Sequence, residues 1–188
     1  KKNLNQILRE KNQLIFSLSK FYKDSFNKKN IKHFKKYFDY RIIGMGGSIL
    51  GAKAIYDFLK KRIKKKFIFI DNLNAFENRK TKKNFNNLII SKSGNTTETI
   101  VNANILIKKK DNNLFITEKK ESYLSILAKK LKAEVVDHNN YIGGRYSVLS
   151  EVGMLPAELM GLNYKNFRQL NNLVKNKFFM KALVSNVE

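Results

Sequence analysis

Three short segments of this chain carry residue types that, at their spacing, suit the binding of a phosphate or a similar oxyanion. The first is Gly44-Met45-Gly46-Gly47-Ser48-Ile49-Leu50-Gly51. Glycines let the backbone turn tightly and approach a ligand closely, while the Ser48 hydroxyl and the free amides of a following helix supply donors for an anion. The second is Ser91-Lys92-Ser93-Gly94-Asn95-Thr96-Thr97-Glu98-Thr99, where hydroxyls crowd round one glycine at the start of a helical pattern. Capping by Asn95 or Thr96, with Glu98 in the first turn, accounts for one of these hydroxyls; the others form a cradle able to give several hydrogen bonds to one phosphate. The third is Ile142-Gly143-Gly144-Arg145-Tyr146-Ser147, which sets a permanent planar cation beside two glycines. Only six of the 38 basic residues are Arg, so Arg145 is not explained by the lysine bias of the chain.

Two familiar phosphate motifs do not fit. A dinucleotide fingerprint starting at Gly44 demands Gly at position 49, where Ile49 stands, although Asp71 ends the next strand about where a ribose-binding acid belongs. The second segment lacks the Gly-Lys-Ser/Thr ending of a triphosphate-binding loop.

The elements that must position these segments alternate in type. Arg41–Gly44, Phe67–Asp71, Leu88–Ser91, Asn113–Thr117 and Ala133–Asp137 read as short strands apolar on both faces. Helical patterns follow the first strand (Ile49, Leu50, Ala54, Phe58, Leu59) and recur near 97–109 and 122–131. Such alternation predicts an α/β fold, a parallel sheet covered by helices on both sides. Ligands of such sheets sit beyond the carboxyl ends of the strands, and all three segments follow strand ends. Residues 4–25 have helical spacing and predict an amphipathic helix packed outside the sheet; 165–184 predict a final helix. Pro156, inside an otherwise helical pattern, predicts a kink or break.

Length and composition set the limits. A chain of 188 residues with 43% hydrophobic residues suits one compact domain. Its longest charge-free stretch between Arg41 and Lys53 is the 11 residues 42–52, too short to cross a bilayer. There is no Cys, so neither disulfides nor a thiolate metal site exist, and the absence of both these and an opening secretory signal points to the cytoplasm. His33 and His138 read as structural or surface residues, and Glu98 and Glu151 as a cap and a helix-face residue. The net charge of +23 raises nucleic acid as a partner, but Lys, Asn and Ile make up 74 residues, the bias of an AT-rich coding sequence. The cluster Lys60, Lys61, Arg62, Lys64, Lys65 and Lys66 has no interleaved aromatic to stack on bases and falls at a helix C-terminus, where cations are favoured anyway.

Taken together, the three segments resemble the glucose-6-phosphate isomerase family, over roughly residues 40–162. Its glycine loop ending in Gly-Gly-Ser is similar to Gly44–Gly51, its Ser-Lys-Ser/Thr-x-x-Thr loop to Ser91–Thr96, and its Gly-Gly-Arg-Tyr/Phe-Ser signature to Gly143–Ser147, continuing through Val148-Leu149-Ser150 to Pro156. Asn95 stands where many relatives have Thr. The resemblance implies a sugar isomerase (SIS) domain, a flavodoxin-like three-layer αβα sandwich with a five-stranded parallel sheet over residues 36–162. A helical extension over 1–35 would precede it, and a helix over 163–188 would lead to a second such domain. It implies that Gly47, Ser48, Ser91, Lys92 (through its amide), Ser93 and Thr96 hold a hexose phosphate. Arg145 would steady an enediolate and Gly144 would let the substrate approach, in the isomerisation of glucose 6-phosphate and fructose 6-phosphate. Neither metal nor other cofactor is implied. In the family the base and the ring-opening His and Lys lie further along the chain, so residues 1–188 alone are expected to bind but scarcely to turn over; the complete protein is expected to be a homodimer. The alternative is a regulatory domain that binds a phosphosugar without converting it. No specific nucleic acid is expected: DNA affinity, measured by titration between about 50 and 200 mM salt, should fall steeply as a counterion effect does, and tight sequence-selective binding at the upper end would contradict this reading.

Overall fold

The computed structural model describes residues 12–27, 29, 31–73, 85–168 and 175–186. A short helix α1 (Gln13–Ser17) leads through turns and a 3-10 turn (Phe34–Lys36) to strand β1 (Asp39–Gly44) and helix α2 (Gly47–Leu59). After a 3-10 turn at Lys60–Arg62 come β2 (Lys66–Ile70), β3 (Asn86–Ile90), α3 (Thr97–Leu106), β4 (Asn112–Thr117), α4 (Tyr123–Leu131) and β5 (Glu134–Asp137). A 3-10 turn (Gly144–Leu149) then runs into α5 (Glu151–Leu159), followed by a 3-10 turn (Tyr164–Arg168) and α6 (Lys177–Ser185). All strand pairings are parallel and the sheet order is β2-β1-β3-β4-β5, the flavodoxin-like arrangement.

The strand sequences form a sheet buried on both faces because their apolar residues do not alternate with polar ones; successive side chains go to two different cores. Tyr40, Ile42, Leu88, Ile90, Leu114 and Ile116 face one way, packing with Ile49, Ala52 and Ile55 of α2 and with Val152, Met154, Leu155 and Leu159 of α5. Ile43, Ile89 and Phe115 face the other, against Ala103 of α3 and Leu124 and Ala128 of α4. The result is the expected three-layer αβα sandwich with five parallel strands. At the amino ends of the strands, side-chain amides pair across the sheet: Asn112 Nδ2 donates to Asn86 Oδ1 at 2.9 Å, and Asn87 Nδ2 to Asn113 Oδ1 at 2.8 Å. Arg41, buried beside them, donates to Asn87 Oδ1 (2.8 Å) and the Leu106 carbonyl (2.7 Å); burial pulls its guanidinium below the ordinary value although Asp111 lies 3.7 Å away.

Three expectations are corrected. The helix expected over 4–25 is confined, among the described residues, to Gln13–Ser17; residues 1–11 lie outside them. The chain leaves the helix at Leu18; beyond it Tyr22 and Phe26 are buried, Phe26 joining Ile31 and Phe34 in the first core, whereas Phe16, Leu18 and Phe21 are exposed, so burial in the described part of the extension does not follow a helical period. The single helix expected over 165–184 is instead a 3-10 turn at Tyr164–Arg168 and helix α6, with 169–174 outside the described residues. There Arg168 turns inward, its Nη1 donating to Asp24 at 2.8 Å and its Nε to the Leu149 carbonyl at 3.0 Å. Of the kink or break expected at Pro156, the break is absent: α5 continues to Leu159, and Met160 N–H bonds the Pro156 carbonyl at 2.8 Å. Every residue of α5 is buried, so packing on all sides outweighs the roughly 3 kcal/mol that an interior proline costs.

Phe115 is 0% exposed at the centre of the second core. Phe115→Ala should lower stability by about 3–5 kcal/mol in urea unfolding; an unchanged midpoint would mean that the α3 and α4 side contributes little to holding the sheet.

Candidate functional site

Strands β1 and β3 are neighbours with Gly44 opposite Ile90, so the first two segments leave the sheet side by side. Each feeds directly into a helix, α2 at Gly47 and α3 at Thr97. The first four amides of a helix have no partner within it and are ordinarily satisfied by a side-chain cap. Among the described α-helices, α1 is capped by Asn12, α4 by Ser122, α5 by Ser150 and α6 by Asn176. Only α2 and α3 have no side-chain cap. The α2 cap position is Gly46, whose φ of +52° disfavours any residue with a side chain. At α3 the cap residue is Thr96, but its Oγ1 lies 2.9 Å from Ser91 Oγ and makes no cap bond. Asn95, the other capping candidate, accepts instead from Tyr123 N–H at 2.9 Å. Capping therefore does not explain the hydroxyls of this loop.

Within the loop, Ser91 is buried and its Oγ accepts the Gly94 N–H at 3.2 Å while bonding Thr96. Ser93, half-buried, accepts from Asn95 N–H at 3.1 Å. Gly94, at φ +67°, lies so close to α4 that a β-carbon there would be 2.1 Å from Ser122 Oγ. The Lys92 side chain runs the other way: Nζ donates to the Asn140 carbonyl at 2.6 Å and lies 3.6 Å from Glu118 Oε1. Burial pushes Glu118 up, but Lys120 and Lys92 more than offset it and hold its carboxyl below the ordinary value.

The third segment crosses from β5 to reach the first. A β-carbon on Gly47 would lie 2.2 Å from the Gly144 carbonyl oxygen and 2.9 Å from Arg145 N, so the two backbones touch where only glycine fits. Ser147 Oγ bridges them, 2.7 Å from the Gly144 carbonyl and 3.2 Å from that of Gly47. Arg145 is exposed and, among the described residues, makes no hydrogen bond or ion pair, whereas Arg41 and Arg168 are buried and bonded. So the backbone of Gly47, with Ser48 next to it in α2, meets that of Gly144 and Arg145, and Ser91, Ser93 and Thr96 form one loop at the neighbouring strand end. Helix-start amides, hydroxyls and a guanidinium at the carboxyl end of a sheet are groups able to bind an oxyanion and stabilise negative charge.

Other candidates are placed elsewhere. Asp71 pairs with Lys53 at 3.0 Å. His33 is exposed with its ring 4.1 Å from that of Phe34, while His138 is buried, as expected of structural residues. Glu151, read as a helix-face residue, is the first residue of α5 and 0% exposed, because the extension and the segment after β5 close over it. Tyr22, Asn139 and the side-chain role of Lys92 were not foreseen; Tyr22 and Glu151 are 129 positions apart, beyond the reach of any local spacing rule. Among the described residues, no group of three or more His, Asp or Glu side chains could hold a metal ion, and no helix is long and apolar enough to cross a membrane.

The fold is the parallel αβα sandwich of the sugar isomerase class. A tagatose-6-phosphate ketose/aldose isomerase from Escherichia coli matches the fold at TM-score 0.59 and 13% identity, over 86% of this chain and 50% of that one; a hypothetical protein from Thermus thermophilus matches at 0.67 and 20%, over 99% and 51%. The chain belongs to the phosphoglucose isomerase family, whose sequence model matches residues 18–187. It is 33% identical to the glucose-6-phosphate isomerase of Acholeplasma laidlawii, over 76% of this chain and 40% of that protein, and 33% identical to that of Mycoplasma genitalium, over 81% and 42%. It thus spans about two fifths of the length of these curated relatives.

Gly47→Ala should cost about 1–3 kcal/mol in thermal unfolding because the Gly144 backbone cannot yield, whereas Gly143→Ala, with its nearest neighbour Tyr146 at 3.5 Å, should stay within about 0.5. Equal losses would show that the two loops do not touch as described.

Proposed function

We propose that this chain is the phosphate-binding part of an enzyme that interconverts glucose 6-phosphate and fructose 6-phosphate. The observation that carries this reading is the pair of uncapped helix starts, α2 and α3, over adjacent strand ends, while every other described α-helix is capped. An anion of phosphate size can accept from both sets of amides, with the helix dipoles favouring its charge. Gly47 and Ser48 serve it from α2. Ser93, Thr96 and the Lys92 amide serve it from α3, with the buried Ser91 hydroxyl both a donor and the brace that holds Thr96.

Arg145 acts on the other end of the sugar. Moving a proton between C2 and C1 passes through an enediolate, whose negative charge exists only along the reaction path. A guanidinium held beside that charge and bound to no carboxylate lowers the barrier without tightening the ground state. Gly144 keeps the backbone next to Arg145 open for the approach. The proton-transfer groups are those that the family carries further along its chain; His138 and Glu151 are both buried and bonded in the fold. On this reading the domain spans 36–162, flanked by the extension over 1–35 and the segment 163–188, and the complete protein is a cytoplasmic homodimer.

Two measurements test this. Calorimetry with glucose 6-phosphate should give an affinity that the double substitution of Ser91→Ala with Thr96→Ala weakens about 10- to 100-fold, the effect of losing hydrogen bonds to a charged group; unchanged affinity would falsify the cradle. In a coupled assay of the complete protein, Arg145→Ala should lower kcat more than it raises KM. A complete protein that binds hexose phosphates but never turns them over would favour a regulatory domain instead.

A further inference from the structure

An acid in the first turn of a helix usually faces water near the amide dipoles. Glu151, the first residue of α5, is instead 0% exposed and fully engaged. Its Oε1 accepts the Asn139 backbone N–H at 3.0 Å and its Oε2 the Tyr22 hydroxyl at 2.9 Å. Asn139 Nδ2 closes the triangle by donating to Tyr22 Oη at 2.5 Å. Burial and the Glu151 charge both push the Tyr22 phenol above its ordinary value, which keeps it protonated and donating. His138 lies alongside, its Nδ1 3.1 Å from the Asn139 carbonyl and 3.8 Å from Glu151 Oε1.

The next residue is held by a second group. Lys92, from the phosphate loop, donates to the Asn140 carbonyl at 2.6 Å. Ile142, 0% exposed, then bonds back to the Asn139 carbonyl at 3.1 Å, and the chain passes directly into Gly143, Gly144 and Arg145. Two residues of backbone, Asn139 and Asn140, are thus gripped by a carboxylate of α5 and by a cation of the phosphate loop, at the start of the short segment that ends in the residue whose guanidinium must be aimed.

We propose that Glu151 is a positioning residue for Arg145, its buried carboxylate anchoring Asn139 and so fixing the loop that presents the guanidinium. This rests on the reading of Arg145 given above. Fold stability alone does not account for the carboxylate: its helix neighbours Val152, Met154 and Leu155 are apolar and buried, and an apolar residue would pack there without the desolvation penalty of a buried charge. What only an acidic or amide side chain supplies is an acceptor for one backbone N–H in a segment with no strand partner. A guanidinium displaced by about an ångström loses much of its effect on developing charge, so removing a buried anchor this near to it should be felt in function.

The test uses the 188-residue chain and two probes, inorganic phosphate and a five-carbon aldonic acid 5-phosphate whose carboxylate mimics the enediolate charge. Glu151→Ala should raise hydrogen exchange of the amides at 139–146 about tenfold and weaken the aldonate about tenfold, while phosphate affinity changes by less than roughly twofold. Glu151→Gln, which keeps an acceptor, should recover most of both, and Tyr22→Phe should fall between. Unchanged exchange at 139–146 in Glu151→Ala, or equal weakening of both probes, overturns the proposal. Should Glu151→Ala fail to fold, Glu151→Gln and Tyr22→Phe decide by the same exchange readout. If the unsubstituted chain binds neither probe while Glu151→Ala still loosens 139–146, the anchor stands and the isomerase reading is what fails.

Discussion

The Gly144 carbonyl occupies the place where a β-carbon of residue 47 would sit, and the arrangement of the whole site depends on that contact. It lets a segment that leaves the sheet at β5 lie against the start of α2, which follows β1, three strands away in the sheet order. Without it the backbone of Arg145 and the start of α2 would lie on separate surfaces. Val148 repeats the pattern on both sides: a β-carbon on Gly51 would meet its Cγ2 at 2.7 Å, and one on Gly153 would meet its carbonyl at 2.0 Å. Helices α2 and α5 and the 3-10 turn between Gly144 and Leu149 are therefore packed as one block with glycines at its seams.

The bare starts of α2 and α3 carry a thermodynamic cost. A missing side-chain cap costs about 1 kcal/mol of helix stability, so this fold forgoes something near twice that at its site. A ligand that bonds those amides offsets the deficit, because whatever binds the folded chain alone stabilises it by mass action. Binding and folding are coupled here through the same unpaired donors.

Much of this was legible in the sequence, and the reasons differ by feature. The five strands could be read because each is a short run apolar on both faces, a pattern that survives without knowledge of neighbours. The three loops could be read because glycine, hydroxyl and Arg145 at strand ends have few other uses. Contacts between distant positions could not. Nothing local in Tyr22 or Arg168 says that one meets Glu151 and the other Asp24. The extension misled because Tyr22, buried in the fold, falls at helical spacing after Ile15 and Leu18 by coincidence of packing, and Pro156 misled because a helix buried on all sides tolerates what an exposed one would not.

The asparagine pairs at the amino ends of the strands bear on how the sheet finds its alignment. A slip of one residue between two strands would turn every side chain to the wrong core and is forbidden by burial alone. A slip of two residues is the more dangerous error, since it returns apolar side chains to their proper faces: Leu88 and Ile90 could exchange places against Leu114 and Ile116 with little change in buried area. It would, however, separate Asn86 from Asn112 and Asn87 from Asn113, and a like slip between β1 and β3 would take Asn87 from the guanidinium of Arg41, leaving buried amides unpaired at about 1–3 kcal/mol each. Hydrophobic contacts choose the face, and these amides choose among the alignments the face allows, acting as the proofreading element of a sheet whose strands are all joined by long crossovers.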